Sequence, residues 1–67
     1  MNNKLIIIED SSLDRKLTDM WDATAFGWRQ FVKKLDTNIT DVKYDNKNTE
    51  VLFKSEEHKT WFLLRWA

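Results

Sequence analysis

The chain has 67 residues, with eleven basic and eleven acidic side chains, no cysteine and no proline. One small domain spanning 1–67 is all this length holds, and disulfides and thiolate metal sites are excluded. Zero net charge argues against binding that relies on neutralising a nucleic-acid backbone, and no apolar run approaches the ~20 residues of a membrane span.

Lys4-Leu5-Ile6-Ile7-Ile8-Glu9 is a short β-branched run and reads as the first strand. Leu5 and Ile7 make one face apolar, and Ile6 and Ile8 the other. A strand half exposed to water would alternate, so either both faces are covered or the second meets a partner. Only four consecutive apolar residues follow the basic start. A signal peptide needs roughly 7–15, so an intracellular protein is expected.

Ser11 to Leu35 is the longest patterned stretch. Leu13, Leu17, Met20, Trp21, Thr24, Trp28, Phe31, Val32 and Leu35 recur at steps of three and four, which is one stripe of a helix. Ser11 and Ser12 supply N-cap oxygens, and Asp14 stands in a capping-box-like position. Asp14, Asp19 and Asp22 lie towards the start and Arg29, Lys33 and Lys34 towards the end, as the helix dipole favours. Gly27 costs about 1 kcal/mol inside a helix. It permits close packing of Phe26 and Trp28, marks a kink, or ends one helix near Phe26 and lets a second run from Trp28 to Leu35. The unbroken stripe favours one helix with a bend.

Thr40, Val42 and Tyr44 alternate with charged residues in a second strand, and Asn46-Lys47-Asn48 supplies a turn. Thr49 to Lys54 returns as the third strand of a hairpin. Ser55-Glu56-Glu57 opens a last helix that carries His58, Trp61, Phe62, Arg65 and Trp66. The order β-α-β-β-α predicts an α+β domain with a three-stranded sheet and two helices on one face, a truncated ferredoxin-like arrangement. Strand one is expected beside strand three, with strand two outermost. The far face of the sheet would then show Leu5 and Ile7, or Ile6 and Ile8, together with Leu52. Such an uncovered apolar surface marks an interaction site.

Catalytic chemistry finds little support. There is no Cys nucleophile and only one His, and Ser11, Ser12 and Ser55 all stand where helices need caps. Glu9, Asp10 and Asp14 gather at a strand end and a first turn, where acids have structural reasons to be. No metal, no cofactor and no enzyme activity are therefore expected. Binding suits the composition better, because Trp, Tyr and Arg dominate interface hot spots. The candidate partner-binding residues are Trp61, Arg65, Trp66, Trp28, Arg29 and Ile6. Trp21, Trp28, Phe31 and Phe62 are also the natural core of so small a domain, where truncating a buried ring costs about 3–5 kcal/mol. A helix of ten residues cannot bury all its sides, so either Trp61 or Trp66 is expected in solvent.

Residues 53–66, Phe-Lys-Ser-Glu-Glu-His-Lys-Thr-Trp-Phe-Leu-Leu-Arg-Trp, resemble the endings of small uncharacterised proteins of tailed bacteriophages. In those a hairpin finishes in Phe, an acidic helix start follows, and Phe-x-Leu-Arg-Trp closes the helix. Phe62-Leu63-Leu64-Arg65-Trp66 is similar to that last motif, with Trp61 in place of a smaller residue before it. The resemblance implies a phage protein in the cytoplasm of an infected host, where proteins of this type bind and block a host protein. The expected function is thus a small non-enzymatic protein-binding module, an inhibitor of a host enzyme or defence protein. The alternative is a homo-oligomeric structural protein or an accessory to single-stranded nucleic acid.

Overall fold

A computed structural model describes residues 2–67. Its elements are β1 (Lys4–Ile7), α1 (Ser12–Trp21), α2 (Trp28–Lys34), β2 (Ile39–Asp45), β3 (Asn48–Phe53) and α3 (Glu56–Trp66). The architecture is α+β, with a three-stranded antiparallel sheet in the order β1-β3-β2. Strand one does lie beside strand three, with strand two at the far edge.

Three helices replace the two expected, because the long stripe breaks. A continuous helix from Ser11 to Leu35 would be ~37 Å long at 1.5 Å per residue. The central strand β3 has six residues, which is ~20 Å of sheet. No straight helix of that length can lay its whole stripe on so short a sheet. Breaking at Asp22–Gly27 lets both pieces cover the same surface. The break is built locally. Thr24 donates its hydroxyl to Trp21 O (2.8 Å) and its N–H to the same carbonyl (2.8 Å), and the Trp21 indole donates to Phe26 O (2.6 Å). These bonds compete with helix continuation. Met20 and Thr24 consequently face solvent, while Leu17, Phe31 and Val32 are buried on either side of the break.

Gly27 is the N-cap of α2, at φ −66° and ψ 159°. It neither kinks a helix nor allows a close approach, since a Cβ there meets nothing within 4 Å. The other two helices are capped as the sequence suggests. Ser11 accepts from Asp14 N–H (3.3 Å), and Asp14 Oδ2 accepts in return from Asp10 N–H (2.9 Å). Ser55 accepts from His58 N–H (3.3 Å), and its hydroxyl also meets His58 Nδ1 (2.8 Å).

The core is a single cluster on one face of the sheet: Ile7, Val42, Val51 and Phe53 from strands, Ile39 at the start of β2, Leu17, Phe31, Val32 and Phe62 from helices. All three helices therefore share that face. Leu5 and Ile7 point into it, opposite Val51 and Thr49. In β2 the alternation fails at Thr40. The register slips between Ile39 and Asp41, so Ile39 and Val42 are the buried pair, and Thr40 turns outward to donate to Leu52 O (3.3 Å). The uncovered face is the one with Ile6, and Ile8 just past the strand is exposed as well. Ile6 and Leu52 lie there within a frame of Lys4, Glu50, Asp41 and Lys43, and Lys4 Nζ stands 3.7 Å from Glu50. Among the described residues no helix is long and apolar enough to cross a membrane.

The hairpin turn is two residues, Asn46 at φ 50° and Lys47 at φ 68°, both left-handed. Asn48, expected in the turn, belongs to β3 and pairs with Asp45. A primed turn matches the twist of the strands but costs a Lys side chain roughly 1–2 kcal/mol in that conformation. Lys47→Gly is expected to raise stability by about 1 kcal/mol, read as a higher urea midpoint. Gly27→Ser, which adds the missing cap oxygen and restricts the unfolded chain, is expected to add about 0.5–1 kcal/mol in the same assay.

Candidate docking groove

Three separate stretches of sequence meet at one end of the sheet and enclose an open groove of ≈ 760 Å³. That size falls in the ordinary range of binding clefts, about 300–1,000 Å³. The β1–α1 corner contributes Glu9, Asp10 and Asp14. Thr18 and Trp21 come from α1, and Gly27, Trp28, Arg29 and Gln30 from the start of α2. Tyr44 of β2 and Lys47 of the turn complete it. The left-handed Asp10 (φ 62°) turns the chain out of β1 and brings the acids to the groove. Glu9 N–H donates to Asn48 Oδ1 (3.0 Å), which ties that corner to the hairpin.

The aromatic part is rigid. Trp28 meets Trp21 edge-on at 5.5 Å and stacks on Phe31 at 5.8 Å, and its indole N–H donates to Thr49 Oγ1 (2.8 Å). Thr49 is fully buried and is the one buried polar side chain of the core among the described residues. Its hydroxyl gives the half-buried indole the partner it requires. Arg29 is held by one nitrogen, Nε donating to Val42 O (2.9 Å). Its terminal amino groups remain free to meet a ligand, since no other bond to them occurs among the described residues. Tyr44, 57% exposed, presents an unpacked phenol ring beside them. The charges are divided by element, with acids from the β1–α1 corner and bases from α2 and the turn.

The residues singled out from sequence do not form one site. Trp28 and Arg29 line the groove. Trp61 sits on the outer side of α3, 54% exposed and edge-on to His58 at 5.4 Å. Arg65 lays its guanidinium over the Trp66 ring at 5.2 Å, and Trp66 packs half-buried against the core beside Phe62. Of the two C-terminal tryptophans, Trp61 is thus the one in solvent. Ile6 lies on the open face of the sheet. Tyr44, Trp21 and Lys47 were not among the candidates. Tyr44 carried a signal, an aromatic ring at the end of a strand beside a tight turn, but its alternation with charges suggested a packed position. Glu9, Asp10 and Asp14 do gather, yet among the described residues no group of side chains is arranged to hold a metal ion.

The Trp28–Thr49 bond allows a clean energetic test. Thr49→Val keeps the shape and strands the indole N–H, so a loss of about 1–2 kcal/mol is expected in chemical denaturation. In the Trp28→Phe background the same change is expected to cost clearly less, because no donor is left unpaired.

Neither a protein-family model nor a curated protein nor a solved structure matches this chain.

Proposed function

We propose that the chain is a small protein-binding module, without catalysis of its own, that takes a segment of another protein in the groove between the β1–α1 corner, α2 and the hairpin turn. The observation that supports this reading is the company kept by Trp28. A fixed indole, an exposed tyrosine and an arginine tethered by one nitrogen stand in one open cleft. These three residue types supply most hot-spot energy, and a pre-organised side chain loses little entropy on binding. The divided charge around the cleft would fix the direction in which a segment lies, since unlike charges across an interface set register.

The finer proposals rest on the sequence. The C-terminal helix resembles phage proteins, which makes the partner a host enzyme or defence protein and the module its inhibitor in the host cytoplasm. A truncated ferredoxin-like layout is the corresponding proposal for the fold, supported by the β1-β3-β2 order and the antiparallel pairing. A second surface is carried by its own observation. Trp61 and Leu64 expose large apolar side chains on α3, with Arg65 and Trp66 adjoining.

Site-specific photo-crosslinking in bacterial cells separates the two surfaces. With the crosslinker in place of Tyr44, one defined protein adduct is expected, and Arg29→Ala is expected to weaken the purified complex by about tenfold or more. Adducts formed only with the crosslinker in place of Trp61 would move the site to α3. No protein adduct at either position, with salt-sensitive retention on single-stranded DNA, would replace protein binding by nucleic-acid association.

A further inference from the structure

The two edges of the sheet are treated differently. At the β2 edge, Val42 has both backbone groups taken by side chains. Asp41 Oδ1 accepts from its N–H (2.9 Å), and Arg29 Nε donates to its carbonyl (2.9 Å). The register slip at Thr40 distorts the same edge further. These are the devices by which proteins prevent strand addition.

The β1 edge is guarded only at its start, by Lys4 and the Asn2 side chain. Phe53 N–H donates to Asn3 O (2.9 Å), which sets the phase of the β1–β3 ladder. Asn3, Leu5 and Ile7 direct their backbone groups to β3, and Lys4, Ile6 and Ile8 direct theirs outward. Of these outward groups, Lys4 N–H is held by Asn2 Oδ1 (3.1 Å) and Ile8 O by Ser11 N–H (3.0 Å). The Ile6 N–H, the Ile6 carbonyl, the Lys4 carbonyl and the Ile8 N–H have no partner among the described residues. Ile6 is 44% exposed and Ile8 59%. A shallow apolar groove of ≈ 320 Å³ runs beside the strand, lined by Leu5, Leu13 and Leu63 among others.

We infer that β1 pairs with β1 of a second copy of this chain, antiparallel about a twofold axis at Ile6, to form one six-stranded sheet. The free backbone groups are the set this register uses. Ile6 exchanges both bonds with its counterpart, and each Lys4 carbonyl accepts from the Ile8 N–H of the other copy. Charge selects the same arrangement. In this register Lys4 stands opposite Ile8 of the other copy, on the open face and clear of any lysine. A twofold at Lys4 would oppose two lysines directly, and a parallel copy would oppose like with like at both ends, which destabilises a pair. On the helix-covered side, Leu5 of each copy falls opposite Ile7 of the other and enters the small groove. On the open side, Ile6 meets Ile6. This pairing is independent of the docking groove's role. A strand of four residues buries too little for an obligate dimer, so the pair dissociates on dilution.

Sedimentation equilibrium over a concentration series tests the inference, with hydrogen exchange at Ile6 as the local readout. The mass is expected to rise from 8.1 kDa towards twice that value, with the Ile6 amide slowing in step. Ile6→Lys places like charges at the twofold and is expected to raise the dissociation constant by about tenfold or more. Its side chain lies on the open face, so the circular dichroism spectrum should be unchanged. Ile8→Lys, which falls opposite the other copy's Lys4, is expected to weaken the dimer and Ile8→Glu to strengthen it, a comparison that stands even if Ile6→Lys does not fold. A mass of one chain up to about 1 mM, the weak limit of specific association, would overturn the inference. So would a dimer that Ile6→Lys or Ile8→Lys leaves unchanged.

Discussion

Thr49, Val51 and Phe53 on the inward face of β3 are the side chains to which the rest of the molecule is referred. β3 has a neighbour on each side, and its inward residues are sealed from solvent. Each of the two outer contacts fixes one helix. Thr49 accepts the indole proton of Trp28 and so sets the start of α2, and Phe53 meets Phe62 at 5.2 Å and so sets α3. Val51 lies between them and faces Leu5 and Val42. In a chain of this size one strand of six residues thereby orients two helices. Hydrogen-bond geometry governs at one end and ring packing at the other. The hydrogen-bonded end is also the end that carries the groove.

Much of the fold was legible in the sequence because it is encoded locally. Ser11 and Ser55 cap the helices they precede, and the strand order follows from a hairpin next to a crossover. The stripe of apolar residues also marks the right faces of α1 and α2. Periodicity, however, carries no information about how long the opposing surface is. The stripe continues in phase through Asp22–Gly27, yet the sheet beneath is too short for it, and only the assembled structure expresses that limit. The slip at Thr40 was equally hidden, because it depends on which residue of β3 each residue of β2 meets.

The groove was the least legible feature, for a different reason. Its walls come from positions 9–18, 21–30 and 44–47, none of which is unusual alone. Glu9, Asp10 and Asp14 read as caps and strand ends, and two of them do serve the α1 cap. Trp28 was readable as core or as contact; its indole N–H is bonded into the interior while the residue lines the cleft. Tyr44 looked packed because its face of β2 is the buried one, but α2 does not extend far enough to cover it. Composition could suggest that aromatic surface would remain for a partner. It could not say that Trp28 and Tyr44 would meet in one groove at the end of the sheet.

The connection between α1 and α2 has a consequence for how such a protein can change. All six residues from Asp22 to Gly27 are exposed and none belongs to the core, although Gly27 lines the cleft. Insertions or deletions in this bridge would therefore alter the aperture while the hydrophobic interior stayed as it is. Length variation there would reshape the cleft and leave the sheet in place.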